Sequence, residues 1–156
     1  MILKIAVLSG DGIGPEVTKQ SIKVLKSLGK KFNHKIELES GLVGAVAIDK
    51  YNDPYPDETH QVCLNSDAIL FGAIGDPKYD NDPKAKVRPE QGLLKMRKKL
   101  GLYANLRPTK VFESLLEMSP IKEERISGTD ILFVRELTGG IYFGERGRKD
   151  NDNFAF

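Results

Sequence analysis

Three arginines stand where the chain enters or leaves a predicted helix or strand, and they are the residues best suited to bind an anion. They are Arg97, Arg107 and Arg135. A guanidinium group is planar and can donate two parallel hydrogen bonds, which suits a carboxylate or a phosphate. Three such groups converging on one place would bind a substrate with two carboxylates. Tyr142 follows a Gly-Gly turn after Arg135 and could supply a phenol as a proton donor or an orienting hydrogen bond.

Arg97 belongs to a predicted short helix over residues 90–100, with Pro89 before it and Gly101 as its stop. At 100° per residue Arg97 falls on the apolar side of this helix. Three other basic residues fall opposite and are expected to form a solvated face: Lys95, Lys98 and Lys99. An inward arginine needs a partner, because an unpaired buried charge is costly. No acid in the helix lies within four residues of Arg97, so the partner is a distant protein carboxylate or a bound anion.

A glycine-rich stretch, Ser-Gly-Asp-Gly-Ile-Gly-Pro-Glu at residues 9–16, follows the apolar run Ile5–Leu8. A strand that leads into such a loop and then a helix suggests the dinucleotide fingerprint G-x-G-x-x-G, but Pro15 stands where the third glycine belongs. We therefore do not expect a standard Rossmann unit. The helix that starts at Pro15 is predicted to end at Gly29 and to turn an apolar stripe inward: Val17, Val24, Leu25 and Leu28.

The order of the following segments predicts an α/β unit with parallel strands. A strand is indicated at 36–38, a long loop over 40–56, a helix from 56 and a buried strand at 68–71. In open sheets of this kind, ligands bind outside the carboxyl ends of the strands. The polar loop after Gly75 lies at that end and leads directly into the helix of Arg97, which favours a ligand role. Further strands are predicted up to Phe112, with Val111 and Phe112 buried, and at 131–134.

Composition excludes several classes of protein. The chain has 156 residues, of which 40% are hydrophobic and 29% charged, as expected for one soluble globular domain. The net charge of +2 is too small to argue for a nucleic-acid or membrane partner. Cys63 is the only cysteine, so no internal disulfide can form, and we expect it in the core. No apolar run approaches the ~20 residues of a membrane helix, and a cytoplasmic protein is the default.

The basic stretch 84–99 leaves one alternative from another functional class. It holds seven Lys or Arg residues and one Glu, so a nucleic-acid-binding module is conceivable. Few aromatic residues interleave these charges, however, and stacking on bases requires aromatic side chains. A solvated lysine face is the commoner explanation for such a stretch.

Four separated motifs resemble the isocitrate/isopropylmalate dehydrogenase family of decarboxylating β-hydroxyacid dehydrogenases. They are the stretch at 9–16, Arg-Pro-Glu-Gln-Gly-Leu-Leu-Lys-Met-Arg at 88–97, Tyr-Ala-Asn-Leu-Arg-Pro at 103–108 and Val-Arg-Glu-Leu-Thr-Gly-Gly-Ile-Tyr-Phe-Gly at 134–144. The resemblance covers essentially the whole chain. It implies an α/β, isopropylmalate dehydrogenase-like fold with a parallel or mixed sheet, incomplete here, that binds NAD without a Rossmann unit. Residues 1–102 would be the N-terminal part of the first domain. Residues 103–156 would start the second, including the beginning of the dimerisation arm.

For the complete enzyme, the isopropylmalate branch of this family implies oxidative decarboxylation of 3-isopropylmalate to 2-oxoisocaproate in leucine biosynthesis. The cofactors would be NAD and Mg²⁺ or Mn²⁺, and the enzyme would be a homodimer with no nucleic-acid or membrane partner. A sister enzyme acting on isocitrate or tartrate is the alternative. Family members are much longer than this chain, and their catalytic lysine and metal-binding aspartates lie in the part that it lacks. We therefore expect no metal ligands in this chain and little activity from it alone.

The resemblance also assigns roles to individual residues. The arginines Arg97, Arg107 and Arg135 would hold the substrate carboxylates, and Tyr142 would donate a proton in the enol step. An apolar wall would meet the isopropyl group, formed by Leu93 and Leu94. The nicotinamide half of NAD would border a set of loop and helix residues: Gly75, Asp76, Pro77, Lys78 and Glu90. Asp76 departs from the family pattern, because many members have a second glycine there, and this leaves its contact with the cofactor open.

Overall fold

The structure, a computed structural model of the chain, describes residues 1–79 and 87–139 and the backbone of 80, 148–149 and 154–155. The chain divides into two compact units, Met1–Leu100 and Gly101–Phe156. The assignment of 1–102 and 103–156 to two family domains stays a prediction.

In the first unit, three parallel strands form a sheet in the order β2-β1-β3. The strands are β1 (Ile2–Gly10), β2 (Lys35–Ser40) and β3 (Ala68–Ala73). The helices are α1 (Gly14–Lys31), α2 (Ala45–Tyr51), α3 (Asp57–Leu64), α4 (Pro77–Asp80) and α5 (Pro89–Lys99). The predicted parallel α/β arrangement is confirmed. The helix predicted over 90–100 is confirmed to within one residue at each end.

Strand β1 is the centre of the first unit, and its residues Ile5–Leu8 are all buried. Ala6 and Leu8 belong to the main core cluster, and Ile5 and Val7 point to the opposite face because side chains alternate along a strand. The remaining buried members of the cluster come from loops and helices after β2: Val43, Tyr55, Cys63 and Met96. Burial on both faces is what the unbroken apolar run in β1 predicts.

Helix α1 packs in a different orientation from the one its apolar pattern predicts. The predicted inward residues Val17, Val24 and Leu28 are 45%, 59% and 44% exposed. The buried positions are instead small or hydroxyl-bearing: Gly14, Thr18 and Gly29. Thr18 satisfies its own hydroxyl by donating to the carbonyl of Gly14, at 2.7 Å. The helix also runs two residues past its predicted end. Small side chains let the helix axis come close to the sheet. Of the predicted stripe, Leu25 is partly buried, whereas Val17, Val24 and Leu28 are left exposed.

The predicted long loop over 40–56 is wrong, because residues 45–51 form helix α2. This helix has no acidic residue in its first turn and no cap from its own preceding residue. Its cap is the carboxylate of Asp11, 34 residues earlier in the chain, which accepts the N–H of Ala45 at 2.7 Å. Because the capping residue lies in a distant loop, no local sequence pattern marks the start of this helix.

In the second unit, β4 (Ala104–Lys110) and β5 (Asp130–Glu136) pair antiparallel. A 3-10 helix (Glu113–Met118) and α6 (Glu123–Ile126) connect them, and β6 (Arg148–Lys149) pairs with β7 (Phe154–Ala155). The prediction of a buried Phe112 is wrong, since this ring is 62% exposed just after the end of β4. The apolar residues of β5 are exposed as well, Val134 by 64%. A two-stranded ribbon has few neighbours that could cover its faces.

Within the described residues, no helix combines the length and the apolar character needed to cross a membrane.

Cys63 offers a test of the first unit's core. Its thiol is only 5% exposed, and burial raises the pKa of this thiol. We expect a thiol reagent to modify Cys63 at least about 100-fold more slowly in the folded chain than in denaturant, because the thiolate is the reactive form. The rate of reaction with a chromogenic disulfide measures this. A Ser27→Cys variant, with its new thiol on the exposed side of α1, is the control and should react at once. Rapid modification of Cys63 in the folded chain would contradict the described core.

Candidate functional site

The carboxyl ends of β1 and β3 lie side by side, and the loops that leave them are held together by Asp11. The Asp11 backbone N–H donates to the carbonyl of Ala73, the last residue of β3, at 2.8 Å. Its carboxylate is buried and accepts the N–H groups of Ala45 at 2.7 Å, Val46 at 3.0 Å and, more distantly, Gly75 at 3.4 Å. The glycine-rich loop therefore packs on protein backbone. This agrees with the failed dinucleotide fingerprint at Pro15.

Two of the five predicted cofactor residues, Gly75 and Glu90, lie next to each other at this edge. Gly75 has φ +138°, a conformation that favours glycine, and its side-chain position is nearly open. Among the residues that the structure describes, a Cβ built there would have only Glu90 Oε1 within 4 Å, at 3.6 Å. A flat ring can therefore approach the backbone at Gly75 with a carboxylate beside it. No hydrogen bond or ion pair engages Glu90 within the described residues.

The other three predicted cofactor residues, Asp76, Pro77 and Lys78, form the start of the short helix α4. The Asp76 carboxylate accepts the N–H of Lys78 at 3.0 Å, and its carbonyl accepts the N–H of Tyr79 at 2.9 Å. Asp76 thus caps α4, which is a local function for the residue that departs from the family pattern. Lys78 Nζ lies 2.5 Å from a carboxylate oxygen of Asp49 in α2. This hydrogen bond lowers the pKa of Asp49 and raises that of Lys78.

The predicted solvated lysine face on α5 holds for Lys98 and Lys99, which are exposed, whereas Lys95 is partly buried. Lys95 Nζ pairs with Asp53 at 2.5 Å, and Lys99 Nζ pairs with Asp57 at 2.5 Å. The hydrogen bond from Lys99 lowers the pKa of Asp57. Exposed pairs of this kind contribute little stability. They do, however, mark the side of α5 that faces the loop before α3. Lys98 remains exposed.

Close backbone packing fixes α5 more firmly than its lysines do. Pro89 and Met96 are buried, and Gly92 between them lies against the carbonyl of Pro54. A Cβ built on Gly92 would stand 2.5 Å from that carbonyl oxygen, which is closer than real contacts allow. Any larger residue at position 92 would therefore push the helix off the loop. This contact sets the rotation of α5 and so determines where its remaining side chains point.

Arg97 lies on the flank of α5 away from the lysine pairs. Its side chain is partly buried, and no hydrogen bond or ion pair holds it within the described residues. Leu94, one helical turn earlier, is on the same flank, whereas Leu93 packs against the core cluster. The predicted leucine pair is thus divided between a core residue and a flank residue. Of the two predicted partners for Arg97, a bound anion is the one that these contacts favour.

Arg107 and Arg135 come together on one face of the second unit. Asn105 in β4 pairs with Arg135 in β5, and Arg107 follows Asn105 by two residues. Because side chains alternate along strands, all three share a face and the two arginines are diagonal neighbours. Arg107 Nε donates to Asn105 Oδ1 at 2.8 Å. That bond orients the guanidinium group and leaves its two terminal nitrogens available. Convergence of these arginines with Arg97 of the first unit stays a prediction.

Tyr142, the predicted proton donor, lies outside the described residues. The described chain before it ends in a turn, where the Glu136 carboxylate accepts hydrogen bonds from the backbone N–H and hydroxyl of Thr138. The Thr138 side chain lowers the pKa of Glu136. Thr138 and Gly139 form a bend, and Gly140, the third residue of the predicted turn, lies outside the described residues, so the turn stays a prediction.

Within the described residues, no group of three or more His, Cys, Asp or Glu side chains is arranged to hold a metal ion. Asp11 and Asp49 are already engaged with backbone N–H groups or a lysine. Neither carboxylate is therefore available for the divalent metal that the family resemblance implies.

Sequence reasoning missed three residues that organise this site: Asp11, Asp49 and Asn105. Asp11 sits within the glycine-rich motif, so the motif itself was a signal. Asn105 lies two residues before Arg107 and would face the same side of a strand, which could have suggested their bond. Nothing in the sequence marks Asp49, because its partners lie 29 and 30 residues later.

The close packing of α5 against the Pro54 carbonyl can be tested with Gly92→Ala. In an exposed helix interior this change stabilises by up to ~1 kcal/mol, because alanine is the better helix former. Here the new methyl would meet the Pro54 carbonyl, so we expect a loss of about 1–3 kcal/mol in the free energy of unfolding. Denaturant titration of the chain measures it. Lys98→Ala, at an exposed position of the same helix, is the control and should stay within about 0.5 kcal/mol of the parent. A stabilised Gly92→Ala variant would refute this packing.

Comparison with known proteins gives a consistent result along the whole chain. The family model described as isocitrate/isopropylmalate dehydrogenase matches residues 4–155. A 3-isopropylmalate dehydrogenase from Bacteroides fragilis is 59% identical over 97% of this chain and 43% of its own length. One from Bacillus subtilis is 55% identical over 94% of this chain and 40% of its own.

Among solved structures, the fold is similar to that of a beta-decarboxylating dehydrogenase from Thermococcus kodakarensis in its apo form. The TM-score is 0.66 with 32% identity, covering 99% of this chain and 39% of that one. The predicted fold class is thereby confirmed. The chain spans about two fifths of the length of the relatives it matches.

Proposed function

Because the chain belongs to the isocitrate/isopropylmalate dehydrogenase family, we propose that the complete protein that carries it oxidatively decarboxylates 3-isopropylmalate to 2-oxoisocaproate, a step of leucine biosynthesis. The observation that carries the proposal is the flank of α5. There the partly buried guanidinium group of Arg97, which has no partner among the described residues, stands one turn from the apolar side chain of Leu94. A carboxylate attached to a branched alkyl group complements a cation beside an apolar wall. A substrate with a polar group at that wall would leave this group unpaired.

The arginines would bind and neutralise the substrate's carboxylates. Arg107 is suited to this because Asn105 already fixes its orientation, so little side-chain freedom is lost when a carboxylate binds. Arg135 on the same face would complete the pair. Their contribution to rate would be positioning and charge stabilisation. Tyr142 would donate the proton that completes the product after carbon dioxide leaves.

The cofactor proposed for the complete protein is NAD, which accepts a hydride from the hydroxyl-bearing carbon when it is bound. The open backbone at Gly75 would border the flat nicotinamide ring. The Glu90 carboxylate beside it could accept a hydrogen bond from the carboxamide. Asp76, Pro77 and Lys78 would line the same side through helix α4. A divalent Mg²⁺ or Mn²⁺ is also proposed for the complete protein, with ligands from outside the described residues.

The remaining proposals concern the oligomeric state, the cellular location and the domains of the enzyme. We propose a homodimer located in the cytoplasm, with residues 1–102 in the first domain and 103–156 beginning the second domain and its dimerisation arm. The nucleic-acid-binding alternative is disfavoured, because two of the seven basic residues of the stretch, Lys95 and Lys99, are paired with aspartates. A sister activity on isocitrate or tartrate is opposed by the apolar side chain of Leu94.

Substrate choice tests the proposal directly. In the complete protein, kcat/KM for 3-isopropylmalate should exceed that for isocitrate by about 100-fold or more, since an apolar wall cannot satisfy a third carboxylate. Reduction of NAD monitored by absorbance, with carbon dioxide release measured in parallel, provides both values. Release of carbon dioxide without NAD reduction, or a preference for isocitrate, would contradict the assignment.

The contribution of the Arg97 guanidinium geometry can be tested separately from its charge. Arg97→Lys keeps the charge but replaces the two-pronged donor with a single ammonium, so kcat/KM for the hydroxy diacid should fall about 100-fold or more. The KM for NAD should stay within about threefold, because Arg97 is not among the proposed cofactor residues. Lys98→Ala, on the exposed side of the same helix, is the matched control and should retain activity. The same experiment applies to Arg107→Lys, with Arg125→Lys in exposed α6 as its control.

A further inference from the structure

The segment 75–79, which opens the proposed cofactor loop, is held by carboxylates at two separate points. Near its end, Asp49 of α2 accepts Lys78 Nζ at 2.5 Å and the Tyr79 hydroxyl at 2.9 Å. Arg88 adds a hydrogen bond to the Tyr79 carbonyl at 3.2 Å. At its start, the backbone N–H of Gly75 points to Asp11 Oδ2 at 3.4 Å. Neither aspartate is among the residues proposed to bind the substrate or the cofactor.

The two carboxylates are linked through helix α2. Asp11 caps this helix by accepting the N–H groups of Ala45 and Val46, and Asp49 lies one turn after Ala45. A helix of seven residues is not stable on its own, so its place depends on contacts outside it. Loss of the Asp11 cap would therefore release both ends of the segment, whereas loss of Asp49 would release only the end at Lys78 and Tyr79.

The environments of the two aspartates predict different responses to salt. Asp11 is 3% exposed, and backbone N–H groups are the partners of its carboxylate within the described residues. Dissolved ions screen such a group weakly. The side chains of Asp49 and Lys78 are 51% and 48% exposed, so their attraction weakens at high salt.

We propose that Asp11 and Asp49 are positioning residues for the cofactor, which act by fixing segment 75–79 against helix α2. The inference rests on the proposed function of this segment in NAD binding. Neither carboxylate would touch the reacting atoms. Their effect would be on the affinity for the nicotinamide cofactor, because an unfixed segment must be ordered at the moment of binding, and that ordering costs free energy.

The first experiment uses amide hydrogen exchange in this chain itself to measure how firmly segment 75–79 is held. Asp11→Asn keeps the shape but turns one acceptor into a donor, which then faces a backbone N–H. We expect exchange at Gly75, Lys78 and Tyr79 to rise about tenfold, the scale of one charge-assisted hydrogen bond. Asp49→Asn should raise exchange about threefold at Lys78 and Tyr79 only. High salt should reproduce the second effect in the parent chain and not the first.

Glu37→Gln provides the matched control. Glu37 also forms an exposed pair with a lysine, Lys35, at 2.6 Å, but on β2 away from the segment. The exchange pattern of segment 75–79 should not change in this variant. Thermal unfolding of each variant shows whether the fold is retained, so that a local release can be distinguished from global unfolding.

The second experiment uses the complete protein and compares the two substrates. Asp11→Asn should raise the KM for NAD about tenfold and leave the KM for the hydroxy diacid within about twofold. Faster exchange without a change in the KM for NAD would overturn the inference, and so would unchanged exchange in a folded Asp11→Asn variant. If the parent protein does not reduce NAD at all, the proposed function fails. The exchange result then still decides whether the two carboxylates fix the segment.

Discussion

The buried carboxylate of Asp11 is the contact on which the sheet edge of the first unit depends. A carboxylate can be buried at modest cost only if hydrogen-bond donors replace its hydration, and here backbone N–H groups from two loops do so. The same bonds that satisfy the charge join the loop after β1 to the start of α2 and to the loop after β3. The charge thus determines the geometry, because any loop that moved away would leave Asp11 unsatisfied.

The backbone carbonyl of Pro54 connects the start of α2 to α5. The N–H of Gly44, just before α2, donates to the Pro54 carbonyl at 2.8 Å, and Gly92 of α5 packs against the same group. The helix that carries Arg97 is therefore positioned by backbone contacts at its centre, and its lysine pairs adjust one side of it. A binding arginine benefits from such support. Its own hydrogen bonds remain free for a ligand, while close packing elsewhere fixes the helix that carries it.

Features set by local sequence could be predicted, and features set by distant contacts could not. The apolar run of β1 and the Pro89 and Gly101 boundaries of α5 are local signals, and the structure agrees with both. Pro15 argued against a standard Rossmann loop for an equally local reason. Helix α2 was missed because its cap comes from Asp11. The orientation of α1 was misjudged because its apolar stripe predicts burial, whereas the sheet accepts its small residues.

The two sides of α5 show why charge counts along a sequence cannot identify a binding site. The stretch 84–99 is strongly basic, yet Lys95 and Lys99 have carboxylate partners on the protein, whereas Arg97 is partly buried and has none within the described residues. Only the contacts distinguish a cation that the fold has already neutralised from one that a ligand must neutralise. A partly buried cation without a partner among the described residues is costly, and a bound anion would offset that cost. The combination of burial and missing partner at Arg97, rather than the number of basic residues, is therefore the argument for an anionic substrate.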